Sequence, residues 1–167
     1  MVHLYIGKGK GKTTAALGLA IRAAGAGLKV YIGQFIKSGC YNEIKVLKKI
    51  PNIKIEQYGR GCFIKRNPAQ KDIDLAQKCL ARVEQIIAKR AYQLIVLDEI
   101  NVALHFGLLK LNEVIRLLKL APEEIELVLT GRWAHPKIIK FADLVSEIKN
   151  IKHYYRKGGK ARKGAEY

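Results

Sequence analysis

The chain has 167 residues, a length that fits one compact domain with a substantial core. Apolar residues make up 49% of it, but no run approaches the roughly 18 apolar residues of a membrane-spanning helix. The formal net charge of +17 favours an anionic partner such as a nucleotide, a nucleic acid or an acidic membrane face. Because the basic residues are spread along the chain, the charge fits equally well a lysine-rich surface that serves only solubility.

Cysteine usage and the N-terminal sequence indicate a cytoplasmic protein. Cys40, Cys62 and Cys79 are odd in number and form no C-x-x-C pair, which predicts reduced thiols rather than disulfides or zinc ligands. The chain starts with a strand-like run instead of a charged and apolar leader, so we expect no signal peptide.

The first motif is glycine-rich and lies between an apolar alternating run, residues 3–6, and an alanine- and leucine-rich segment, residues 15–26. Strand, loop and helix in this order are the context of a phosphate-binding loop, in which backbone amides bind phosphate oxygens. Lys12 is placed to reach phosphate and the Thr13 hydroxyl to ligate Mg²⁺. The alternative is a solvated basic turn. The predicted ATP-binding residues are Gly7, Lys8, Gly9, Lys10, Gly11, Lys12, Thr13 and Thr14.

The loop departs from the pattern G-x-x-x-x-G-K-[ST]. Counting back from Gly11, that pattern requires glycine at position 6, where this chain has Ile6. Read from Gly7, the loop is one residue short. Because a shorter loop must wrap phosphates differently, the usual placement of ATP is not assumed.

Strand and helix patterns alternate along the whole chain. This alternation predicts an α/β fold with a mostly parallel central sheet and helices on both faces, formed as a single domain over residues 1–167. The run at 53–58 is expected near a sheet edge and the continuous apolar run at 94–97 in the centre. The remaining predicted strands are 29–35, 126–130 and 144–148, the helices are 15–26, 42–50, 72–90, 111–120 and 136–141, and 59–70 is predicted to be an irregular loop.

Two acidic residues, Asp98 and Glu99, end the apolar run at 94–97. An acidic residue in this position, behind a phosphate-binding loop, holds the Mg²⁺ of a nucleotide complex. Ligands bind at the carboxyl ends of parallel strands, so we expect Thr13, Asp98 and Glu99 to form a Mg²⁺ site. The alternative is that Asp98 caps a following helix. In either case a buried carboxylate needs a cation or hydrogen-bond donors.

A third polar segment, Thr130-Gly131-Arg132, ends the predicted strand at 126–130. The glycine allows close approach of the backbone, and the Arg132 guanidinium is suited to bind phosphate. A loop arginine in a salt bridge is an equally good explanation on these residues alone.

These motifs resemble the ATP:corrinoid adenosyltransferases of the P-loop type, also called cob(I)yrinic acid a,c-diamide adenosyltransferases. The similarity covers nearly the whole chain. It implies the fold of a P-loop NTPase, a RecA-like three-layer sandwich. It also accounts for the short loop, because the family holds ATP with its phosphates in the reverse direction. The matching segments are 7–14, 34–37, 96–99, 130–132, 142–147 and 160–164, followed by Glu166 and Tyr167.

The resemblance implies transfer of the 5′-deoxyadenosyl group of MgATP to cob(I)alamin or a similar corrinoid, with release of triphosphate. The reduced cobalt is the nucleophile and has no proton to lose, so no general base is required. Lys12, Thr13 and Arg132 are then the expected catalytic residues, with Lys10 a further candidate, because charge develops on the leaving triphosphate. His105 and His135 are expected to pack or cap. A homodimer and an electron donor such as a flavoprotein are the implied partners, and nucleic acid is not expected to be one.

Two departures from the family pattern concern the corrinoid. Longer relatives have an N-terminal extension that helps to cover the active site, and here we expect that cover to be missing or supplied otherwise. Relatives often carry Gly-Phe-Thr-Trp where this chain has residues 61–64, and the aromatic pair is thought to displace the lower axial ligand of the corrinoid. The resemblance implies Phe63, with Ile64, as the corresponding apolar wedge, and packing of the loop onto the domain explains Phe63 equally well.

Two other functions fit parts of the sequence. A RecA-like ATPase stimulated by nucleic acid would use the positive charge and would polarise water with Glu99. A nucleotide-gated module that stores or delivers corrinoid would retain the ligand without forming a cobalt–carbon bond. The reaction product distinguishes all three.

Overall fold

A computed structural model describes residues 1–39, 41–61, 67–154 and 158–165. The strands are β1 (Val2–Ile6), β2 (Val30–Lys37), β3 (Ile53–Gly61), β4 (Leu94–Asp98), β5 (Glu126–Thr130) and β6 (Leu144–Glu147). The helices are α1 (Lys12–Gly25), α2 (Asn42–Leu47), α3 (Gln70–Ala88), α4 (Ile100–His105), α5 (Leu111–Leu120) and α6 (Pro136–Phe141). The strands pair in parallel in the order β3-β2-β4-β5-β1-β6, which confirms the predicted parallel α/β sheet.

Side-chain alternation along the strands builds a core on each face of this sheet. In β4, Leu94 and Val96 pack with α1 and α2 on what we call the α1 face. Ile95 and Leu97 pack with α3, α4 and α5 on the opposite side, the α3 face. Because both faces are covered, the buried strands read as continuous apolar runs. The three layers place the carboxyl ends of β1, β2, β4 and β5 at one rim of the sheet.

The sequence located most elements to within a few residues. The run at 53–58 is the start of the edge strand β3, and β4 lies between β2 and β5, as expected. Three expectations were wrong: β3 continues to Gly61 where an irregular loop was expected, α1 begins at Lys12 rather than residue 15, and the short helix α4 was not predicted. Glu99 is the single residue between β4 and α4, and its backbone is left-handed, with φ of 63°.

Within the described part of the chain, we find no helix with both the length and the hydropathy needed to cross a bilayer. The proposed wedge residues Phe63 and Ile64 lie outside the described residues, as do Cys40, Cys62, Glu166 and Tyr167. Cys79 is a free thiol buried on the α3 face.

Candidate active site

Polar side chains from three neighbouring strands meet at the carboxyl end of the sheet on the α1 face. Asp98 is two residues beyond Val96 in β4, and Thr130 is two residues beyond Val128 in β5, so alternation turns both toward α1. Gln34 of β2 lies beside Asp98 in the strand register. All three side chains are fully buried. A fully buried polar group needs hydrogen-bond partners, and these residues supply them to one another.

The Asp98 carboxylate is the centre of this cluster and accepts four hydrogen bonds. Its Oδ1 accepts from the hydroxyls of Thr13, at 2.8 Å, and Thr130, at 2.7 Å. Its Oδ2 accepts from Gln34 Nε2, at 3.0 Å, and from the Lys37 ammonium, at 2.7 Å. The alternative that Asp98 caps a helix is wrong, because its donors are side chains of other elements.

Lys37 is the cation that this carboxylate needs, and sequence reasoning did not assign it a role. Its Nζ also donates to Thr13 Oγ1, at 3.0 Å, so one ammonium holds the hydroxyl and the carboxylate together. Burial by itself favours the uncharged forms, but the two charges face each other closely. Their attraction lowers the pKa of Asp98 and raises the pKa of Lys37. The pair is therefore ionised at neutral pH.

The backbone of the glycine-rich loop requires glycine at Gly7 and Gly11, whose φ angles are 105° and 118°. Gly11 directly precedes α1, and Lys12 is the first residue of that helix. The Lys12 side chain folds back over the loop, and its Nζ donates to the carbonyl of Gly9 at 2.7 Å. Burial lowers the pKa of Lys12, while the charges of Glu99 and Arg132 act on it in opposite directions. Lys12 thus lies inside the loop with its charge partly desolvated.

The first half of the glycine-rich loop, residues 8–10, forms hydrogen bonds with the segment that follows β6. The Gly9 amide donates to the Ile148 carbonyl at 2.7 Å, and the Lys10 amide donates to Asn150 Oδ1 at 3.2 Å. The Asn150 amide in turn donates to the Lys8 carbonyl at 3.2 Å. Two amides of the predicted phosphate-binding loop are thus already bonded within the protein. The first turn of α1 follows at Lys12, after the N-cap Gly11, and a helix leaves the N–H groups of its first turn without intrahelical acceptors.

The other candidates occupy different environments around this cluster. Glu99 follows Asp98 directly, and burial together with the Asp98 charge raises its pKa. Its backbone amide donates to Thr130 Oγ1 at 2.9 Å. Arg132 is exposed and forms no ion pair with any residue that the structure describes, so its loop salt bridge is not found. Lys10 is exposed, and its ammonium donates to the Tyr154 hydroxyl at 3.1 Å.

The model of the family "ATP:corrinoid adenosyltransferase BtuR/CobO/CobP" matches residues 1–167, the entire chain. The chain belongs to this family. It is therefore an enzyme of the ATP:corrinoid adenosyltransferase group, built on a P-loop fold.

Individual relatives agree with the family match. The corrinoid adenosyltransferase of Pseudomonas aeruginosa is 36% identical over 98% of this chain and 82% of its own length. The corrinoid adenosyltransferase of Escherichia coli K12 is 31% identical over the full chain and 85% of its own length. Among solved structures, a KaiC-like protein from Pyrococcus horikoshii is similar with a TM-score of 0.58 at 17% identity, covering 90% of this chain and 73% of that one. At that identity the similarity concerns the fold, and it supports the RecA-like sandwich.

Thr13 and Asp98 have the chemistry of a divalent-metal site in this adenosyltransferase. Hydroxyl and carboxylate oxygens are the ligands that Mg²⁺ prefers, and here the two oxygens lie 2.8 Å apart. Both already accept hydrogen bonds from a cation, the Lys37 ammonium. The residues present therefore fit Mg²⁺.

The two histidines contact other groups in the manner that the sequence indicated. His135 precedes α6 and caps it, because its Nδ1 accepts from the Lys137 amide at 3.1 Å. His105 ends α4 and stacks on Trp133, with ring centroids 4.2 Å apart. Neither contact resembles a general base held by an acidic partner.

Proposed function

We propose that this protein transfers the 5′-deoxyadenosyl group of MgATP to the reduced cobalt of a corrinoid, either cob(I)alamin or cob(I)yrinic acid a,c-diamide, and releases inorganic triphosphate. Family membership supports the corrinoid and the adenosyl transfer. The observation that carries the proposal is the buried Lys12 at the start of α1. The next residue, Thr13, donates its hydroxyl hydrogen bond to Asp98. This arrangement gathers positive charge and N–H donors where a polyphosphate would leave.

The chemistry requires little of the protein beyond position and charge. Cobalt in the +1 state attacks the ribose 5′ carbon, a cobalt–carbon bond forms, and the carbon–oxygen bond to triphosphate breaks with its electron pair going to the leaving oxygen. No proton moves in this step, so no general base is needed. Lys12 and the α1 amides would stabilise the negative charge of the leaving group, and the exposed Arg132, whose charge lowers the pKa of Lys12, would contribute positive charge to the same site.

The reversed direction of ATP is also part of the proposal. The Gly9 and Lys10 amides are engaged by Ile148 and Asn150, so the first half of the loop has fewer donors left for phosphate. A polyphosphate would instead lie against the amides of residues 11–14 and the positive end of the α1 dipole. This shortened cradle differs from that of ordinary P-loop NTPases, which use the whole loop.

A bound Mg²⁺ would be held by Thr13 and Asp98, with Glu99 nearby, and would supply electrostatic stabilisation of the triphosphate. Asp98 contributes its permanent charge, since its pKa is lowered by Lys37 against the effect of burial. Thr130 and Gln34 fix the orientation of that carboxylate through their hydrogen bonds. The residues of the chain thus prepare the metal position without taking part in bond formation.

The product identifies the reaction. The protein is incubated with MgATP and chemically reduced corrinoid in the dark, and the light-sensitive adenosylated corrinoid is measured by its absorbance together with the phosphate products. We expect adenosylated corrinoid and intact triphosphate in equal amounts. Orthophosphate released without a new cobalt–carbon bond would instead show a RecA-like ATPase, and tight corrinoid retention without any product would show a storage module.

Replacing Lys12 with Ala is expected to reduce kcat about 100-fold or more, the scale of losing one preorganised donor to a developing negative charge. Burial opposes the Lys12 charge and lowers its pKa, whereas the hydrogen bond to the Gly9 carbonyl is favourable, so removing the side chain should leave the free energy of unfolding nearly unchanged. The matched control is Lys89→Ala, which removes an exposed charge at the end of α3, at the opposite rim of the sheet. Substantial activity in Lys12→Ala would remove this residue from the role proposed for it.

Phe63 is proposed to act as the apolar wedge that displaces the lower axial ligand, together with Ile64. Loss of that ligand makes Co(II) easier to reduce, so Phe63→Ala should slow a reaction that starts from Co(II) more than one that starts from pre-reduced Co(I). Parallel assays from both oxidation states measure the difference. Equal losses in the two assays would contradict the wedge.

The setting of the reaction completes the proposal: a cytoplasmic homodimer that receives electrons from a donor such as a flavoprotein. Light scattering coupled to size-exclusion chromatography measures the oligomeric state. A monomer at all concentrations would contradict this part without affecting the proposed chemistry.

A further inference from the structure

The position suited to a metal ion, between Thr13 and Asp98, holds the ammonium group of Lys37. Lys37 Nζ lies 3.0 Å from Thr13 Oγ1 and 2.7 Å from Asp98 Oδ2. From this geometry we infer that Lys37 is an internal cation that fills the divalent-metal position of the nucleotide-free protein and must leave it when the metal enters. The inference rests on the proposed use of a metal nucleotide at this site.

An irregular stretch of backbone directs Lys37 to this position. Gln34 and Lys37 are three residues apart in β2, so regular alternation would turn them to opposite faces of the sheet. Both nevertheless contact Asp98 Oδ2. The alternation of side chains is interrupted at Ile36, whose backbone is left-handed with φ of 66°. As a consequence, the consecutive residues Phe35 and Ile36 both pack in the core on the α3 face. Lys37 is thereby returned to the α1 face.

The neighbouring edge strand is shaped to accept this break. The register between β2 and β3 shifts between Ile36 and Lys37, so that Ile36 pairs with Gly59 and Lys37 with Gly61. A side chain at position 59 would overlap the Ile36 carbonyl, which only glycine avoids. A left-handed backbone is strained for a β-branched residue such as isoleucine and persists only where the surrounding structure enforces it. Such features concentrate at functional sites, and here the feature places one ammonium group.

Lys37 and a divalent metal would exclude one another at this pair of oxygens. Mg²⁺ binds oxygen ligands at roughly 2.1 Å, which would bring the ion close to an ammonium that already lies at hydrogen-bond distance from both. Like charges at such a separation repel strongly in a partly buried site. The side chain of Lys37 is only 18% exposed, so solvent screens this repulsion poorly.

The displaced ammonium has a natural new partner in the nucleotide. A triphosphate that enters with its metal brings several negative charges to the same place, so Lys37 can leave Asp98 and still be paired. A metal that enters alone offers no such partner. Lys37 should therefore couple metal binding to nucleotide binding, and the nucleotide-free protein should bind divalent metal poorly.

The test uses Mn²⁺ alone, without ATP or corrinoid, and measures bound metal by the loss of the electron paramagnetic resonance signal of the free ion. Lys37→Met removes the ammonium and keeps an apolar stem of similar size. We expect this variant to bind Mn²⁺ about ten-fold more tightly than the wild type, or tighter still. Lys89→Met, which removes an equal charge at the opposite rim, should bind Mn²⁺ like the wild type.

The double variant Lys37→Met/Asp98→Asn should lose the gain, because the tighter site depends on the Asp98 carboxylate. Equal Mn²⁺ affinities in wild type and Lys37→Met, or a gain that survives the Asp98→Asn change, would overturn the inference. If Lys37→Met does not fold, judged by circular dichroism, Lys37→Gln replaces it and carries the same expectation. Because neither substrate is present, failure of this test leaves adenosyl transfer unaffected, and failure of adenosyl transfer is detected separately from its products.

Discussion

Asp98 and Glu56 are two carboxylates that each accept several hydrogen bonds. Asp98 lies on the α1 face of the sheet and Glu56 on the α3 face. Asp98 is fully buried and accepts from hydroxyl, amide and ammonium groups of four residues on three elements, α1, β2 and β5. Glu56 of β3 lies on the α3 face, where its Oε2 accepts from the hydroxyls of Tyr31, at 2.8 Å, and Tyr58, at 2.7 Å. Arg82 of α3 approaches the same oxygen at 3.5 Å.

The difference lies in what holds each carboxylate. The donors of Glu56 are two tyrosines of the rigid sheet, and burial raises the pKa of both, to about 12 for Tyr58. Two of the donors of Asp98, Thr13 and Lys37, border the phosphate loop, and one of them carries a charge. Glu56 therefore has a structural role in holding the edge strand β3. At Asp98, by contrast, the Lys37 ammonium can be exchanged for a divalent metal ion.

Asp98→Asn is expected to have the largest effect of the substitutions that test this comparison. It leaves Lys37 largely buried without its counter-charge, which costs about 3–5 kcal/mol in the free energy of unfolding. Urea denaturation measures the loss, and the product assay should show that activity is abolished. Combining it with Lys37→Met should recover most of the stability and none of the activity. Additive losses in the double variant would show that the two residues do not act as a pair.

Glu56→Gln should have a smaller effect, confined to stability. The amide still accepts from the tyrosines but lacks the charge, so we expect a loss of about 1–2 kcal/mol with kcat unchanged within about two-fold. A fall in kcat well beyond two-fold, in a variant that is still folded, would place Glu56 in the active site and end the contrast with Asp98.

The loss in Glu56→Gln should depend on pH. Burial opposes ionisation of Glu56, but the tyrosine hydroxyls and Arg82 prevail and lower its pKa below the usual 4.5. Its ionisation therefore stabilises the fold above about pH 4.5, and this contribution disappears as the pH falls through the lowered pKa. Urea denaturation of both proteins from pH 7 to pH 3 should show the difference shrinking in acid.

Glu99→Gln should have the smallest effect on stability, and in the opposite direction. The pKa of Glu99 is raised by burial and by Asp98, so its ionisation destabilises the fold; this effect begins above about pH 4.5 and is complete above the raised pKa. We expect a gain of about 1 kcal/mol at pH 7, accompanied by lower activity. The gain should vanish toward pH 4.5, where the glutamic acid is protonated. A loss of stability at pH 7 would mean that the Glu99 charge is paired.

Several features of the site were readable from the sequence because their signals are local. The order of strand, glycine loop and helix located Lys12 and Thr13, and the end of a continuous apolar run located Asp98 and Glu99. Lys37 and Gln34 stood in a segment noted only for its resemblance to the family. Their one physical signal was weak: polar side chains at the carboxyl end of an apolar strand, the same signal that singled out Asp98.

The sequence by itself determined the parallel α/β sandwich, its phosphate loop and the family, because side-chain periodicity and motif spacing operate over a few neighbouring residues. Only the tertiary structure decided that Lys37 holds Asp98 and that Ile148 and Asn150 engage the loop. These contacts join residues 61 and about 140 positions apart in the chain. The left-handed backbone at Ile36 is enforced by packing against β3, and no property of isoleucine itself favours it.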